Sequence, residues 1–203
     1  MISVVTPWMN HEELWPDYEE AMSIAGCEAE WIIVDNASEQ ALTFATLRLD
    51  ENFGFSGGSN AGLRNATADK VLFLNNDIMA MREGWLKIIA DAIEPGVLVG
   101  ASLITPIHAE VDGQAFPYLD GWCLGGMRED FLDLGGWDES LEEPSYYGDN
   151  LLCLEARAAG FTLREIRTGL LHKRGQTTMA NGHILPSTIA NKAIYERRVR
   201  ELV

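Results

Sequence analysis

Three apolar runs in this chain stop on residues able to hold a ligand: ISVV stops on Thr6-Pro7-Trp8, WIIV on Asp35-Asn36, and VLFL on Asn75-Asn76-Asp77. Unbroken runs of Val, Ile, Leu and Phe are the pattern of strands buried on both faces, as in the middle of a parallel sheet. A capping turn explains any one of these polar ends, because Asn and Asp satisfy the loose backbone groups where a strand hands over to a helix. It does not explain three. If the strands are parallel neighbours, their ends share one rim and the carboxylates of Asp35 and Asp77 face a common cleft. One carboxylate there can accept the ring N–H of a nucleotide base. The other can hold a hard cation such as Mg²⁺ or Mn²⁺, whose shell typically takes one or two carboxylates and is completed by substrate phosphates.

Later residues add to this set. Asp149 stands at the head of a helical segment, LLCLEARAAG, closed by Gly160, and an N-cap is its plain reading. His172, taken alone, reads as a structural histidine, and Trp122 as a core tryptophan. Positive charge gathers late, in HKRG (172–175) and ERRVR (196–200). The first leaves room for a local anion site, and the second reads as the solvated face of a terminal helix.

The elements that must position these residues alternate. Strands are expected at 2–8, 29–38, 46–51, 71–77 and 97–105, and helices at 12–26, starting in earnest at Pro16, at 56–67 and at 83–93. Such alternation implies right-handed crossovers and a mostly parallel, doubly wound sheet, with ligands beyond the C-terminal ends of its strands. After residue 105 the pattern loosens into a stretch rich in Gly and aromatics, 116–150, with a short helix expected near 128–134.

The 203 residues suffice for one domain with a sizeable core. A formal net charge of -16 argues against nucleic acid held through its phosphates, which takes a basic face. No apolar run approaches the roughly 18 residues of a membrane span, and ISVVTPW lacks the form of a signal peptide, so a soluble, cytoplasmic protein is expected. Cys27, Cys123 and Cys153 form no CxxC pair and no metal-ligand spacing, and read as buried thiols.

The segments ISVVTPWMN, IIVDNAS, ENFGFSGGSNAGL, VLFLNNDI with GWL, GWCLGGMREDFLDLGGWDES, GDNLLCLEARAAGF and LLHKRGQTT follow one another from Ile2 to Thr178. Together they resemble the family-two glycosyltransferases of GT-A fold, and NFGFSGGSN resembles the rhamnosyltransferase-like members. The resemblance implies a single α/β domain over 1–203: a nucleotide-sugar-binding half (1–105), an acceptor and catalytic half (106–180) and a C-terminal helix (181–203). It implies that Pro7 and Asp35 hold the donor's base and ribose with Thr6 beside them, and that Asn52 and a glycine-rich loop around Gly57 and Gly58 close over the donor. Asn75-Asn76-Asp77 falls at the metal motif, with Asp77 the metal ligand and His172 completing the shell. Lys173 and Arg174 would add charge at the diphosphate, and Trp122 would line the acceptor and sugar pocket.

Asp149 is then the general base of an inverting transfer, dependent on Mn²⁺ or Mg²⁺, from a nucleoside-diphosphate sugar to a hydroxyl of a glycan, a protein or a small molecule. The sequence departs from the family pattern at Gly148, in place of the first member of an acidic pair. Further departures are Leu151 and Glu155 at the later acidic and arginine positions, Asn75 at the first Asp of the metal motif, and Ser59 where many members have an arginine. Without a like charge at 148, Asp149 is expected to stay ionised to lower pH than in relatives with the full pair. The eroded pair leaves open a sugar-nucleotide-binding protein without catalysis, and the shared nucleotide-binding sheet leaves open a sugar nucleotidyltransferase.

Overall fold

The computed structural model of the chain describes residues 1–105, 111–141, 146–173 and 184–203. The strand-like run at the N-terminus forms β1 (Ile2–Trp8), and β2 (Ala29–Asp35), β3 (Leu47–Arg48), β4 (Lys70–Leu74) and β6 (Val97–Gly100) follow the expected alternation. Between them lie α1 (Trp15–Ser23), α2 (Gly54–Asn65) and α3 (Trp85–Ala92), with β5 (Ile78–Ala80) inserted after β4. A short 3₁₀ turn, Glu12–Leu14, precedes α1, and Pro16 sits in its first turn, where a missing N–H costs nothing. The second half supplies β7 (Leu103–Ile104), β8 (Tyr118–Leu119), β9 (Cys123–Met127), α4 (Arg128–Asp133), α5 (Gly148–Ala158), β10 (Thr162–Glu165), β11 (Leu170–His172) and α6 (Ile184–Leu202). No helix among the described residues is long and apolar enough to cross a membrane.

One seven-stranded sheet runs in the order β10-β6-β9-β4-β1-β2-β3. β4, β1, β2 and β3 pair in parallel, as do β10 and β6, so the ends of β1, β2 and β4 do share a rim. β9 was not expected, and it runs antiparallel between β4 and β6. Its sequence, CLGGM, carries two glycines and too little alternation to announce a strand, so tertiary pairing decides its conformation. The expected strand 97–105 is broken at 101–102, and its second part, β7, leaves the main sheet to pair with β8.

Period-two alternation gives the sheet two apolar faces. Val4, Ile33, Leu72 and Leu74 face α1 and α3 in one core cluster with Trp85, Leu86 and Ile89. Val5, Ile32, Val34, Val71 and Phe73 face α2, α4 and α5 in a second, with Leu63, Phe131 and Leu152. α6 packs Tyr195 and Val199 against Leu151 and Leu154 of α5. Gly57 and Gly58 lie inside α2, in the helix expected at 56–67 and not in the loop that the resemblance implies. The glycine-rich face of that helix lets it press close to β1: a Cβ at Gly62 would stand 2.2 Å from Val5 Cγ1, so no larger residue fits without a shift.

Candidate active site

The rim where β4 ends is built from three segments. Asn75 N–H donates to Trp122 C=O at 2.8 Å, tying the end of β4 to the turn that precedes β9. β11 then pairs antiparallel with β5, setting His172 opposite Ile78, and Lys173 N–H donates to Asp77 C=O at 2.9 Å. Residues nearly a hundred positions apart thereby meet. His172 Nε2 lies 3.0 Å from Asp77 Oδ1 and 3.2 Å from Asn75 Nδ2. Its ring stacks on Trp122 with centroids 4.9 Å apart and planes 10° apart. Asn76 and Asp77 are both buried. The Nδ1 of His172 has no hydrogen-bond partner among the described residues. Trp122 is buried, as a core tryptophan would be, and it also lines a cleft of about 370 Å³ with Ser102, Arg167, Leu170 and His172.

Asp149 approaches the same place from α5. It is not the N-cap: that position is Tyr147, in the left-handed region at φ 75°, with no side-chain cap bond. The Asp149 carboxylate instead accepts the Gly121 N–H at 3.0 Å on Oδ2 and the Asn150 N–H at 2.9 Å on Oδ1. A Cβ at Gly121 would lie 3.2 Å from both Asp149 Cβ and the Trp137 ring, so a larger residue there would press on both by a few tenths of an ångström. Burial pushes the Asp149 carboxyl up to about 6, Asp120 adds to the rise, and the two N–H donors oppose it. Desolvation and the charge of Asp120 thus hold this carboxyl above the ordinary value although residue 148 carries no acid.

The nucleoside side of the rim differs in detail from expectation. Thr6 is fully buried, and its hydroxyl bonds the Tyr18 hydroxyl of α1. It lies on the α1 face of β1, away from Pro7, whose ring is 3.1 Å from where a Cβ of Gly58 would be. Asp35 is also buried. Its carboxylate accepts N–H groups from Ser38 at 2.9 Å and Leu42 at 3.1 Å and pairs with the Arg48 guanidinium. Burial works against its charge, but these donors outweigh burial and hold the carboxyl below the ordinary value. Asp35 thus organises the turn from 36 to 42.

Asn52 accepts the Gly54 N–H at 2.8 Å and an Asn36 N–H at 2.8 Å, while Asn36 also accepts the Phe53 N–H at 3.0 Å. These two amides hold the turn that leads into α2, whose N-cap residue, Phe53, makes no side-chain cap bond. Lys173 pairs with Asp17 of α1, and Arg174 lies outside the described residues. The three cysteines are free, and Cys123 and Cys153 are buried.

Three residues of consequence were not singled out as site residues. Asn36 was visible only as the second half of a strand end. Asn60, in GGSN, accepts the Trp137 N–H at 2.9 Å and donates to Trp137 C=O at 2.8 Å, pinning the 136–139 loop onto α2. Asp120 precedes the glycine that binds Asp149, and its signal was an acid set just before Gly-Trp in a glycine-rich stretch.

Residues 3–118 match the model of Glycosyl transferase family 2. No curated protein sequence matches the chain significantly. Among solved structures the chain is similar to the mannosyltransferase PcManGT from Pyrobaculum calidifontis, in complex with GDP-Man and Mn²⁺, at 17% identity and a TM-score of 0.64, covering 81% of this chain and 54% of that one. It is similar also to TarS of S. aureus in complex with UDP-GlcNAc, at 15% identity and a TM-score of 0.63, covering 96% of this chain and 66% of that one. The chain spans about half the length of the structures it first matches, 54% and 55%. At such identities the likeness is one of fold, and the fold is that of the GT-A glycosyltransferases.

Proposed function

The chain belongs to glycosyl transferase family 2, and on that premise we propose that it moves a sugar from a nucleoside diphosphate to a hydroxyl acceptor, with inversion, assisted by Mn²⁺ or Mg²⁺. The observation that carries the reading is the convergence on the rim where β4 ends of Asp77 and His172, 3.0 Å apart, with the Trp122 ring and, through Gly121, the carboxylate of Asp149. No cluster of three or more His, Cys, Asp or Glu side chains suited to a metal occurs among the described residues. One carboxylate and one imidazole nevertheless fit an ion that takes the rest of its shell from diphosphate oxygens. Such an ion supplies charge neutralisation for the leaving diphosphate.

The chain's own residues would do the rest. With its carboxyl near 6, Asp149 is largely ionised at neutral pH and close to the working range of a general base. It takes the acceptor's hydroxyl proton while that oxygen attacks the anomeric carbon and the bond to the diphosphate breaks. A single base and direct displacement favour inversion, since no residue is needed to hold the sugar covalently. Trp122 offers a flat apolar wall for a sugar ring. Pro7, Asn52 and Gly58 border the nucleoside side, and Asp35 acts there by fixing the 36–42 turn. Lys173 would reach a diphosphate only by leaving Asp17.

The NFGFSGGSN stretch makes a rhamnose nucleotide one donor to include, and the acceptor is a hydroxyl on a glycan, a protein or a small molecule. Incubation with a panel of nucleotide sugars and Mn²⁺ tests the proposal. Release of nucleoside diphosphate with sugar transferred is expected. Release of pyrophosphate would mean a nucleotidyltransferase, and tight binding without turnover a binding protein.

A further inference from the structure

Strand order divides the rim into two sides. The ends of β1 and β2, with Pro7 and Asp35, lie to one side of β4, and the ends of β6 and β10 lie to the other, with β9 between β4 and β6. The cleft of about 370 Å³ opens on this second side. Ser102 follows β6, Arg167 follows β10, and Trp122 and His172, which bond to the end of β4, complete the lining.

None of the residues lining this cleft is Asp or Glu. Arg167 is exposed, and among the described residues it makes no hydrogen bond and no ion pair. Basic side chains on either side of it in the sequence are taken: Arg164 by Glu94 at 3.0 Å, and Lys173, in the HKRG stretch, by Asp17. The turn that carries Arg167 is fixed at both ends. Ile166 N–H donates to Gly100 C=O at 2.9 Å, Leu170 N–H to Thr168 Oγ1 at 3.1 Å, and Gly169 C=O accepts the Met81 N–H at 2.8 Å. Of the acids close by, Glu165 accepts the Leu103 N–H at 3.4 Å, Asp77 faces His172, and Asp120 meets Ser102 through its backbone N–H at 2.9 Å.

We propose that this cleft seats the acceptor and selects one that carries an anionic group, a carboxylate or a phosphate, held by Arg167. The proposal rests on the reading of the chain as a transferase with Asp149 as its base. A guanidinium presents a rigid fork of N–H donors that matches either anion with two parallel bonds. A chain of net charge -16 repels an anion at a distance, but salt screens that field over about 8 Å. Within that range an unpaired arginine in a cleft lined by no carboxylate decides which acceptors stay. Trp122 adjoins Gly121, whose N–H bonds Asp149 at 3.0 Å, so an acceptor held against Trp122 brings its hydroxyls toward the base. The donor's diphosphate is taken up at Asp77, which leaves Arg167 to the acceptor.

The test is a ligand-observed NMR titration of four probes that share one sugar ring: methyl glucoside, glucosamine, glucuronate and glucose 6-phosphate. Excess UDP, GDP and Mg²⁺ keep the probes' anionic groups off the donor side, and the parent protein is compared with Arg167→Gln and Arg167→Lys. Glucuronate or glucose 6-phosphate is expected to bind the parent at least about fivefold more tightly than methyl glucoside, with glucosamine no tighter than the neutral sugar. The tighter of the two tells a carboxylate from a phosphate acceptor. Arg167→Gln should abolish the preference, and Arg167→Lys should keep part of it, through charge without the fork. Four probes that bind alike, none that binds, or a preference that survives in Arg167→Gln would overturn the proposal. Calorimetry of the diphosphates with Mn²⁺ on the same variants guards the assignment: a loss in Arg167→Gln as large as the lost preference would give the arginine to the donor and overturn it too. Failure of the transferase reading is a separate result, seen as no turnover of any nucleotide sugar, because probe binding needs none.

Discussion

Replacing Asp149 by Asn should separate stability from function in opposite directions. The folded carboxyl sits at about 6, against 3.8 for an unperturbed Asp. A folded value above the unfolded one means that the native protein holds the proton more tightly. Between about pH 4 and pH 6 the unfolded chain therefore ionises first, and stability falls as pH rises; above pH 6 the loss is constant. A shift of about two units at about 1.4 kcal/mol each sets an upper limit of roughly 3 kcal/mol. Asp149 is partly open to solvent, and screening reduces this to about 1–2 kcal/mol.

Asn does not titrate and keeps an oxygen to accept the Gly121 N–H. The stability of Asp149→Asn relative to the parent should thus grow by about 1–2 kcal/mol from pH 4 to pH 7, in the window set by this one carboxyl. Urea unfolding of both proteins across that range measures it, and the large net charge, shared by both, cancels in the difference. Single-turnover transfer by the same variant should fall by about 10² to 10⁴. Parallel stability profiles would refute the claim that Asp149 ionises at a cost to the fold, and an unchanged transfer rate would remove it as the base.

Asp35→Ala should cost about 2–4 kcal/mol in urea unfolding, because the Ser38 and Leu42 N–H groups lose their acceptor, and nucleoside affinity should fall in step. Lost affinity with unchanged unfolding would mean that the carboxylate faces the base instead. Gly62→Ala should destabilise by about 1–3 kcal/mol through the clash with Val5, and adding Val5→Ala should recover part of that loss. Strictly additive losses would show that α2 and β1 do not meet as described.

What was legible in the sequence follows the reach of its patterns. Val71–Leu74 is apolar without alternation and Ile2–Val5 is broken only by Ser3, so strands, and a shared rim at their ends, could be read directly. The glycines at 57, 58 and 62 fall in a segment that reads as a helix, and only the proximity of Pro7 and Val5 shows that they let this helix lie close on the sheet. β9 could not be read, because CLGGM becomes a strand through pairing with β4 and β6 and has no periodicity of its own.

In the site, His172 and Asp77 were both named, but their 3.0 Å contact depends on β11 folding back on β5, a pairing between distant segments. Thr6 failed for a simple reason: strand alternation turns it to the opposite face from Pro7, toward Tyr18. That the Asp149 carboxyl stands above the ordinary value could not be read, because a missing neighbour can be seen in a sequence, whereas desolvation and an acid brought near from residue 120 cannot.

The central claim, a nucleoside-diphosphate site that depends on a cation held at Asp77, is tested most directly by titration calorimetry of UDP and GDP with and without Mn²⁺. Both the parent protein and Asp77→Ala should be titrated. The account predicts that at least one diphosphate binds the parent at least about tenfold more tightly with Mn²⁺, a gain of 1.4 kcal/mol or more. In Asp77→Ala, whose unfolding should remain cooperative, that gain should disappear. Binding indifferent to Mn²⁺ in the parent, or an undiminished Mn²⁺ effect in a folded Asp77→Ala, would contradict it.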